Sequence, residues 1–275
     1  MAARKLLRRT GRERAGRFLV EGAQAVGSAL AAMHSPRRPA RVFELFVGDA
    51  AAQRHAELIN DALAAGVPVS ALTDRAAAAL SETVTPQGLV AVCGLVDVPL
   101  AEALAGVPSL VVVLVQPADP GNVGTVVRVA DAAGADAVLL AGDSVDPHNG
   151  KCVRSSAGSL FHLPIARERE VGTVLRACRA AGLRLLGTTA AGQHDLHAPA
   201  TEQILTGRCA WLFGSEAHGL PAEVLAASDN QVRVPIYGRA ESLNLATAAS
   251  VCVYATSRAQ RAARISTELL PGAGA

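Results

Sequence analysis

Arg128 is the one cation in a helical stretch of small and apolar residues, Asn122–Ala133, where Val126, Val127, Val129 and Ala130 surround it. A guanidinium stays charged at any working pH and presents a planar fork of donors, which suits it to hold a phosphate or an oxygen that is gaining negative charge. Asn122 stands where a side-chain oxygen can cap the helix. Gly121 and Gly124 leave room for another chain or a phosphate to approach the helix N-terminus, whose dipole favours anions. They do not make the G-x-G-x-x-G spacing of a dinucleotide site. Gly214, Ser215 and Glu216 follow an apolar run directly. Ligands of open α/β sheets bind at such strand ends. Ser242, Leu243 and Asn244 open the last helix after a small and polar loop. Ser242 reads as its N-cap, and Ser242 with Asn244 can pin the loop Pro235–Glu241 around a bound molecule. Each feature also has an ordinary structural reading as cap, turn or solvated face.

The elements that must position these residues alternate strand and helix. Short strands at Phe18–Glu21, Val42–Val47, Val67–Leu72 and Leu89–Gly94 flank helices at Ala23–Met33, Ala50–Ala65 and Arg75–Leu80. They predict a small α/β domain over residues 18–96, joined by a linker over 97–108 to a second domain over 109–275. There Leu110–Val115 is continuous and largely β-branched, the pattern of a buried parallel strand. Ala137–Ala141, Leu163–Ile165, Leu183–Thr188, Cys209–Phe213 and Gln231–Val234 read as further strands. Helices are expected within His148–Ser159, over Val171–Ala181 and Pro221–Ala227, and over Leu243–Arg264, which closes the chain. No internal repeat of fixed period is present.

Composition narrows the function classes. The chain has 275 residues, half of them apolar and only 3% aromatic. The longest apolar run falls far short of the roughly 20 residues that span a bilayer. No secretory signal is expected, and the protein reads as cytoplasmic. The five cysteines, at 93, 152, 178, 209 and 252, lack the close spacing of a zinc set, so no metal is expected. His194 and His197 read as solvated loop residues. The net charge of +2 is uneven: residues 1–17 carry seven basic side chains against Glu13 alone. That basic arm is a footprint of nucleic-acid phosphates, with the alternative of a solvated tail.

In this order and spacing, Asp119–Val138 (DPGNVGTVVRVADAAGADAV), Leu212–Leu220 (LFGSEAHGL) and Val234–Val251 (VPIYGRAESLNLATAASV) resemble the three signature motifs of the SpoU/TrmH branch of the SPOUT methyltransferases, which methylate RNA ribose 2′-hydroxyls. Asn122, Arg128, Glu216, Gly219, Pro235, Ser242 and Asn244 match motif positions. Phe18–Gly22 and Ser81–Val92 resemble the start and end of the family's N-terminal substrate-binding domain. Lys151–Gly158 resembles its basic segment between the first two motifs, with Gly150 where many relatives carry proline.

The resemblance implies a C-terminal parallel-sheet domain with helices on both faces and a deep trefoil knot. It implies S-adenosylmethionine held by Thr188, Thr189, Gly214, Val234, Ile236, Ser242 and Leu243, and a homodimer through the C-terminal domain. Arg128 is then the catalytic arginine, Asn122 orients it, Glu216 anchors the loop or Arg128, and Ser242 and Asn244 shape the pocket. RNA contacts are expected from Arg4, Lys5, Arg8, Arg9, Arg12, Lys151 and Arg154. Large-subunit ribosomal RNA is the favoured substrate. The alternatives are transfer RNA, methylation of a base, and a non-catalytic RNA-binding factor of ribosome assembly.

Overall fold

In a computed structural model, residues 2–36, 38–83 and 85–268 are described. Met1, Val84 of the Ser81–Val92 stretch and residues 269–275 of the expected second domain lie outside them.

The basic N-terminal segment is not an arm. A 3-10 helix over Ala2–Leu7 leads into α1 (Arg9–Ala15), which Gly16 ends in a left-handed conformation at φ 60°. Leu6 is buried with Leu19, Phe46, Leu72, Leu80 and Val90. Arg12 is only 3% exposed. Its guanidinium donates to Asp146 at 2.7 Å and to the carbonyls of Leu6 and Leu7 at 3.0 Å. One apolar anchor and one fully partnered cation let a segment this polar pack.

Next come β1 (Arg17–Glu21), α2 (Ala23–Ala32), β2 (Val42–Val47), α3 (Asp49–Arg54), α4 (Ala56–Ala64), β3 (Val69–Ala71), α5 (Asp74–Leu80) and β4 (Leu89–Gly94). The helix expected over Ala50–Ala65 is thus two, broken where His55 leaves helical geometry at φ −128° and ψ 38°. The strands form a sheet in the order β1-β4-β2-β3, with β4 antiparallel to both neighbours and a bulge between Val42 and Glu44.

The expected linker contains β5 (Asp97–Val98) and α6 (Leu100–Ala103). Then follow β6 (Leu110–Val115), α7 (Pro120–Ala133), β7 (Ala137–Ala141), α8 (Gly150–Ser156), β8 (Ile165–Glu168), α9 (Val171–Ala180) and β9 (Arg184–Thr188). The chain closes with β10 (His194–Asp195), α10 (Pro199–Leu205), β11 (Cys209–Phe213), α11 (Ala222–Ala226), β12 (Asn230–Arg233) and α12 (Leu245–Glu268). The second sheet runs β10-β12-β9-β11-β6-β7-β8-β5, and the ladders from β10 to β8 are parallel. All six residues of β6 are buried, as its unbroken apolar run requires.

By packing, the chain up to Asp97 groups with Pro120–Arg128 and Val145–His162; the second unit holds Val98–Asp119, Val129–Ser144 and the chain from Leu163. In the first unit, Gly124 answers the close approach expected there. A β-carbon would overlap the Cys152 carbonyl and the Ser155 hydroxyl, so the neighbour is α8. In the second, Trp211 is buried and donates its indole N–H to Thr256 of α12 at 2.8 Å. All five cysteines are buried. Burial pushes the Cys178 and Cys209 thiols up to about 12, and moves Cys93 and Cys252 the same way.

Candidate active site

Strands β12, β9 and β11 lie side by side and parallel, so their carboxyl ends open on one edge of the sheet. The segments leaving that edge surround a cleft of about 410 Å³. It is lined by Thr188, Thr189, Ala190, Phe213, Gly214, Ser215, Glu216, Gly219, Val234, Ile236, Glu241, Ser242, Leu243, Asn244, Leu245 and Ala248. Its size falls in the range of small-ligand sites, and its place is where open α/β sheets bind ligands.

The walls are tied to the sheet. The Thr188 hydroxyl donates to the Leu212 carbonyl at 2.8 Å, and the Thr189 N–H to the Val232 carbonyl at 3.1 Å. Gly214 is required by protein as well as by any ligand: a β-carbon there would overlap the backbone of Gly219 and Leu220. Gly219 closes that turn at φ +67° and donates to the Ser215 carbonyl at 2.9 Å.

The Glu216 side chain reaches the loop ahead of α7. Its carboxylate accepts from the N–H groups of Ala118 and Asp119 at 3.2 and 3.3 Å, just ahead of α7. Gln116, at the start of this loop, holds a left-handed conformation at φ 53°, a strain of about 1–3 kcal/mol for a residue with a side chain. The cap of α12 is Asn244, not Ser242. The Asn244 side-chain oxygen accepts from Ala246 and Thr247 at 2.9 and 3.3 Å, and the helix begins at Leu245. Ser242 is an exposed part of the cleft wall.

Asn122 does not cap α7, because the helix begins at Pro120 and takes Asn122 into its first turn. Arg128 is exposed and makes no hydrogen bond or ion pair with a described residue, so Asn122, in the same packing unit, does not hold it. Six residues apart on one helix, Asn122 and Arg128 face directions about 120° apart. Neither lines the cleft.

Of the basic residues, Arg4, Lys5, Arg8, Arg9 and Lys151 are exposed, with Arg9 paired to Glu13 at 2.8 Å. Arg12 is withdrawn from any phosphate by its burial against Asp146. Arg154 is half-buried and lies 3.7 Å from Glu21 and 3.9 Å from Glu82. His194 is a half-buried strand residue hydrogen-bonded to Asn230 at 3.1 Å, not a solvated loop residue. His197 is exposed and bonded to the Tyr237 hydroxyl at 3.0 Å. Among the described residues no group of three or more His, Cys, Asp or Glu is arranged to hold a metal. Sequence reasoning missed the cleft residues Ala190, Phe213, Glu241, Leu245 and Ala248. All but Ala248 adjoin a residue it chose, and Ala248 lies one helical turn after Asn244.

Comparison with known proteins agrees with this architecture. Residues 109–254 match the family model of the SpoU rRNA Methylase family, and residues 1–91 match the MRM3-like substrate binding domain. The chain is 38% identical over 251 residues to the 23S rRNA (guanosine(2553)-2'-O)-methyltransferase RlmP of Bacillus subtilis, covering 91% of this chain and 92% of that one. Among solved structures, the SpoU methyltransferase AviRb from Streptomyces viridochromogenes, in complex with AdoMet, superposes with a TM-score of 0.79 at 31% identity, covering 96% of this chain and 97% of AviRb. An AdoMet-bound rRNA methyltransferase from Sinorhizobium meliloti gives 0.79 at 29% identity, over 94% and 93% of the two chains. With its strand-end cleft and both halves matched, this chain belongs to the SpoU rRNA methylase family.

Proposed function

We propose that the protein transfers a methyl group from S-adenosylmethionine to a ribose 2′-hydroxyl of RNA, with large-subunit ribosomal RNA as the substrate. The observation that carries this reading is the cleft at the ends of β9, β11 and β12, in a chain of this family. Its lining fits the cofactor. Val234, Ile236, Leu243 and Leu245 offer apolar surface for an adenine, Thr188 and Thr189 offer polar groups, and Glu216 and Glu241 are the only charged side chains. Two carboxylates and no cation suit a positively charged sulfonium ligand.

When bound, the cofactor supplies an electrophilic methyl group. The chain supplies orientation and charge. Thr188, Thr189, Gly214, Val234, Ile236, Ser242 and Leu243 hold the donor. Glu216 fixes the loop ahead of α7, and Asn244 fixes the start of α12, so both sides of the cleft are preorganised. Arg128 is a permanently charged donor that orients the substrate phosphate and stabilises negative charge developing on the 2′-oxygen. Asn122 supports the first turn of the helix that carries it. Exposed Arg4, Lys5, Arg8, Arg9 and Lys151 contribute phosphate contacts. The working form in this reading is a cytoplasmic homodimer through a knotted C-terminal domain. Exposed Tyr254 and Ile265 on α12 support a partner surface. Ala246, Ala249 and Cys252 of the same helix are buried within the chain's own fold.

The test is methylation of ribosomal RNA with labelled cofactor, followed by nucleoside analysis. A 2′-O-methylated nucleoside that maps to one large-subunit position is expected. Label on a base, or in transfer RNA alone, overturns the reading.

A further inference from the structure

The first unit carries a second feature that neither the cleft nor its motifs use. Arg17, on the edge strand β1, pairs in register with Gly94 of β4, and the Gly94 N–H donates to the Arg41 carbonyl at 2.8 Å. The two arginines and the glycine therefore form one row across the sheet. The bulge between Val42 and Glu44 frees Phe43 from the ladder, as bulges do when they re-aim a side chain. Its ring comes to rest in this row. The Arg17 guanidinium carbon lies 3.7 Å and that of Arg41 4.8 Å from the ring centre. A β-carbon on Gly94 would meet the Arg41 side chain at 3.4 Å and the ring at 3.6 Å, both ordinary van der Waals contact.

Both arginines are exposed, and neither makes an ion pair or hydrogen bond with a described residue. Other cations of the unit are engaged: Arg9 by Glu13, Arg12 by Asp146, Arg154 by Glu21 and Glu82. Exposed Arg8 and Arg14 add charge nearby in sequence, but no ring holds them. Like charges repel, so two guanidinium groups held on one ring without a carboxylate partner favour an anion beside them. Guanidinium groups match phosphate oxygens in pairs of parallel hydrogen bonds.

We propose that Arg17 and Arg41, oriented by Phe43, form a binding site for the phosphodiester backbone of the substrate RNA. The proposal rests on the methyltransferase reading and locates on this sheet one of the grips by which the N-terminal unit holds its substrate. Phosphate contacts set position and register without reading bases, so the site contributes affinity and leaves the choice of nucleotide to other contacts.

The experiment uses the full-length protein and a ribosomal RNA fragment that the wild type methylates. Binding is followed by anisotropy over a range of salt. Replacing both arginines (R17Q with R41Q) is expected to weaken binding about tenfold at moderate salt and to lower the log–log salt slope by roughly 1.4 to 1.8, the value for two lost phosphate contacts. KM for RNA should rise while kcat, cofactor affinity and the methylated position stay the same. Phe43→Leu keeps both charges and frees their orientation, so affinity should fall with little change in slope. If the wild type binds and methylates RNA but the double variant keeps its slope, the assignment is overturned and the methyltransferase reading stands. The same holds if the double variant loses binding only to anionic phospholipid vesicles. If the wild type neither binds nor methylates RNA, the methyltransferase reading falls and this site falls with it.

Discussion

The carboxylate of Glu216 accepts a hydrogen bond from the backbone N–H of Asp119 at 3.3 Å, joining segments 97 residues apart in sequence. The contact, with its neighbour at Ala118, makes the loop ahead of α7 depend on a residue in the cleft wall. Glu216→Gln keeps the shape and removes the charge that strengthens both bonds. Single-turnover methyl transfer should fall roughly tenfold, equivalent to about 1.4 kcal/mol. Rapid-quench measurement of an unchanged rate would show that the loop holds its position without this carboxylate.

Arg128 has no partner among the described residues, so removing it disturbs nothing that packs. Arg128→Ala should abolish methyl transfer while cofactor affinity by calorimetry and the thermal midpoint stay near wild type. Arg128→Lys should restore little, because a point charge cannot reproduce a planar fork. A near-wild-type rate in the alanine variant would make Arg128 an ordinary surface residue.

Gly214 is required by the turn as well as by the cleft. A side chain meets the Gly219–Leu220 backbone, so Gly214→Ala should distort the turn even without ligand. Its thermal midpoint should fall by several degrees, where about 1 kcal/mol corresponds to roughly 2–4 °C in a chain of this size. Cofactor affinity should fall with it. A variant that melts like wild type and loses only affinity would return the effect to direct contact with the ligand.

The Arg12–Asp146 pair predicts a pH dependence. Burial alone would raise the Asp146 pKa. Hydrogen bonds from the side chain and N–H of His148, and from Arg12, outweigh it and hold the carboxyl well below its ordinary 3.8. A depressed folded-state pKa gives stability that is complete above the unfolded value and is lost as pH falls through the folded value. Urea denaturation should therefore show wild-type stability dropping below about pH 4, and Asp146→Asn should flatten part of that limb. Asp146→Ala leaves Arg12 buried without its carboxylate and should cost about 3–5 kcal/mol near neutral pH.

Much of the fold was readable because its signals are local. The unbroken apolar run Leu110–Val115 became a fully buried parallel strand, and the run Cys209–Phe213 followed by Gly214 became a strand opening on the cleft. The cofactor residues chosen by resemblance all line one cleft because strand-end segments converge there whatever their spacing in the chain. What failed depended on partners distant in sequence. Nothing near Arg12 reveals Asp146, so the segment read as a basic arm for nucleic-acid phosphates. Helix starts, a local matter, slipped by two residues at Asn122 and Ser242. In both cases a neighbour, Pro120 or Asn244, was the better starting residue. The two-residue strand His194–Asp195 is too short to show periodicity and exists through its pairing with β12.

The five buried thiols give the molecule an internal clock. Only a thiolate reacts with alkylating reagents, and burial suppresses that form at Cys93, Cys178, Cys209 and Cys252 in the native state. Each modification therefore records an opening event. Cys93 and Cys152 belong to one packing unit, and Cys178, Cys209 and Cys252 to the other. Timed alkylation read peptide by peptide would thus separate the breathing of the two units without any introduced label. Adding the methyl donor should slow the clock at Cys209, on the strand that ends at the cleft, before it slows the clock at Cys93.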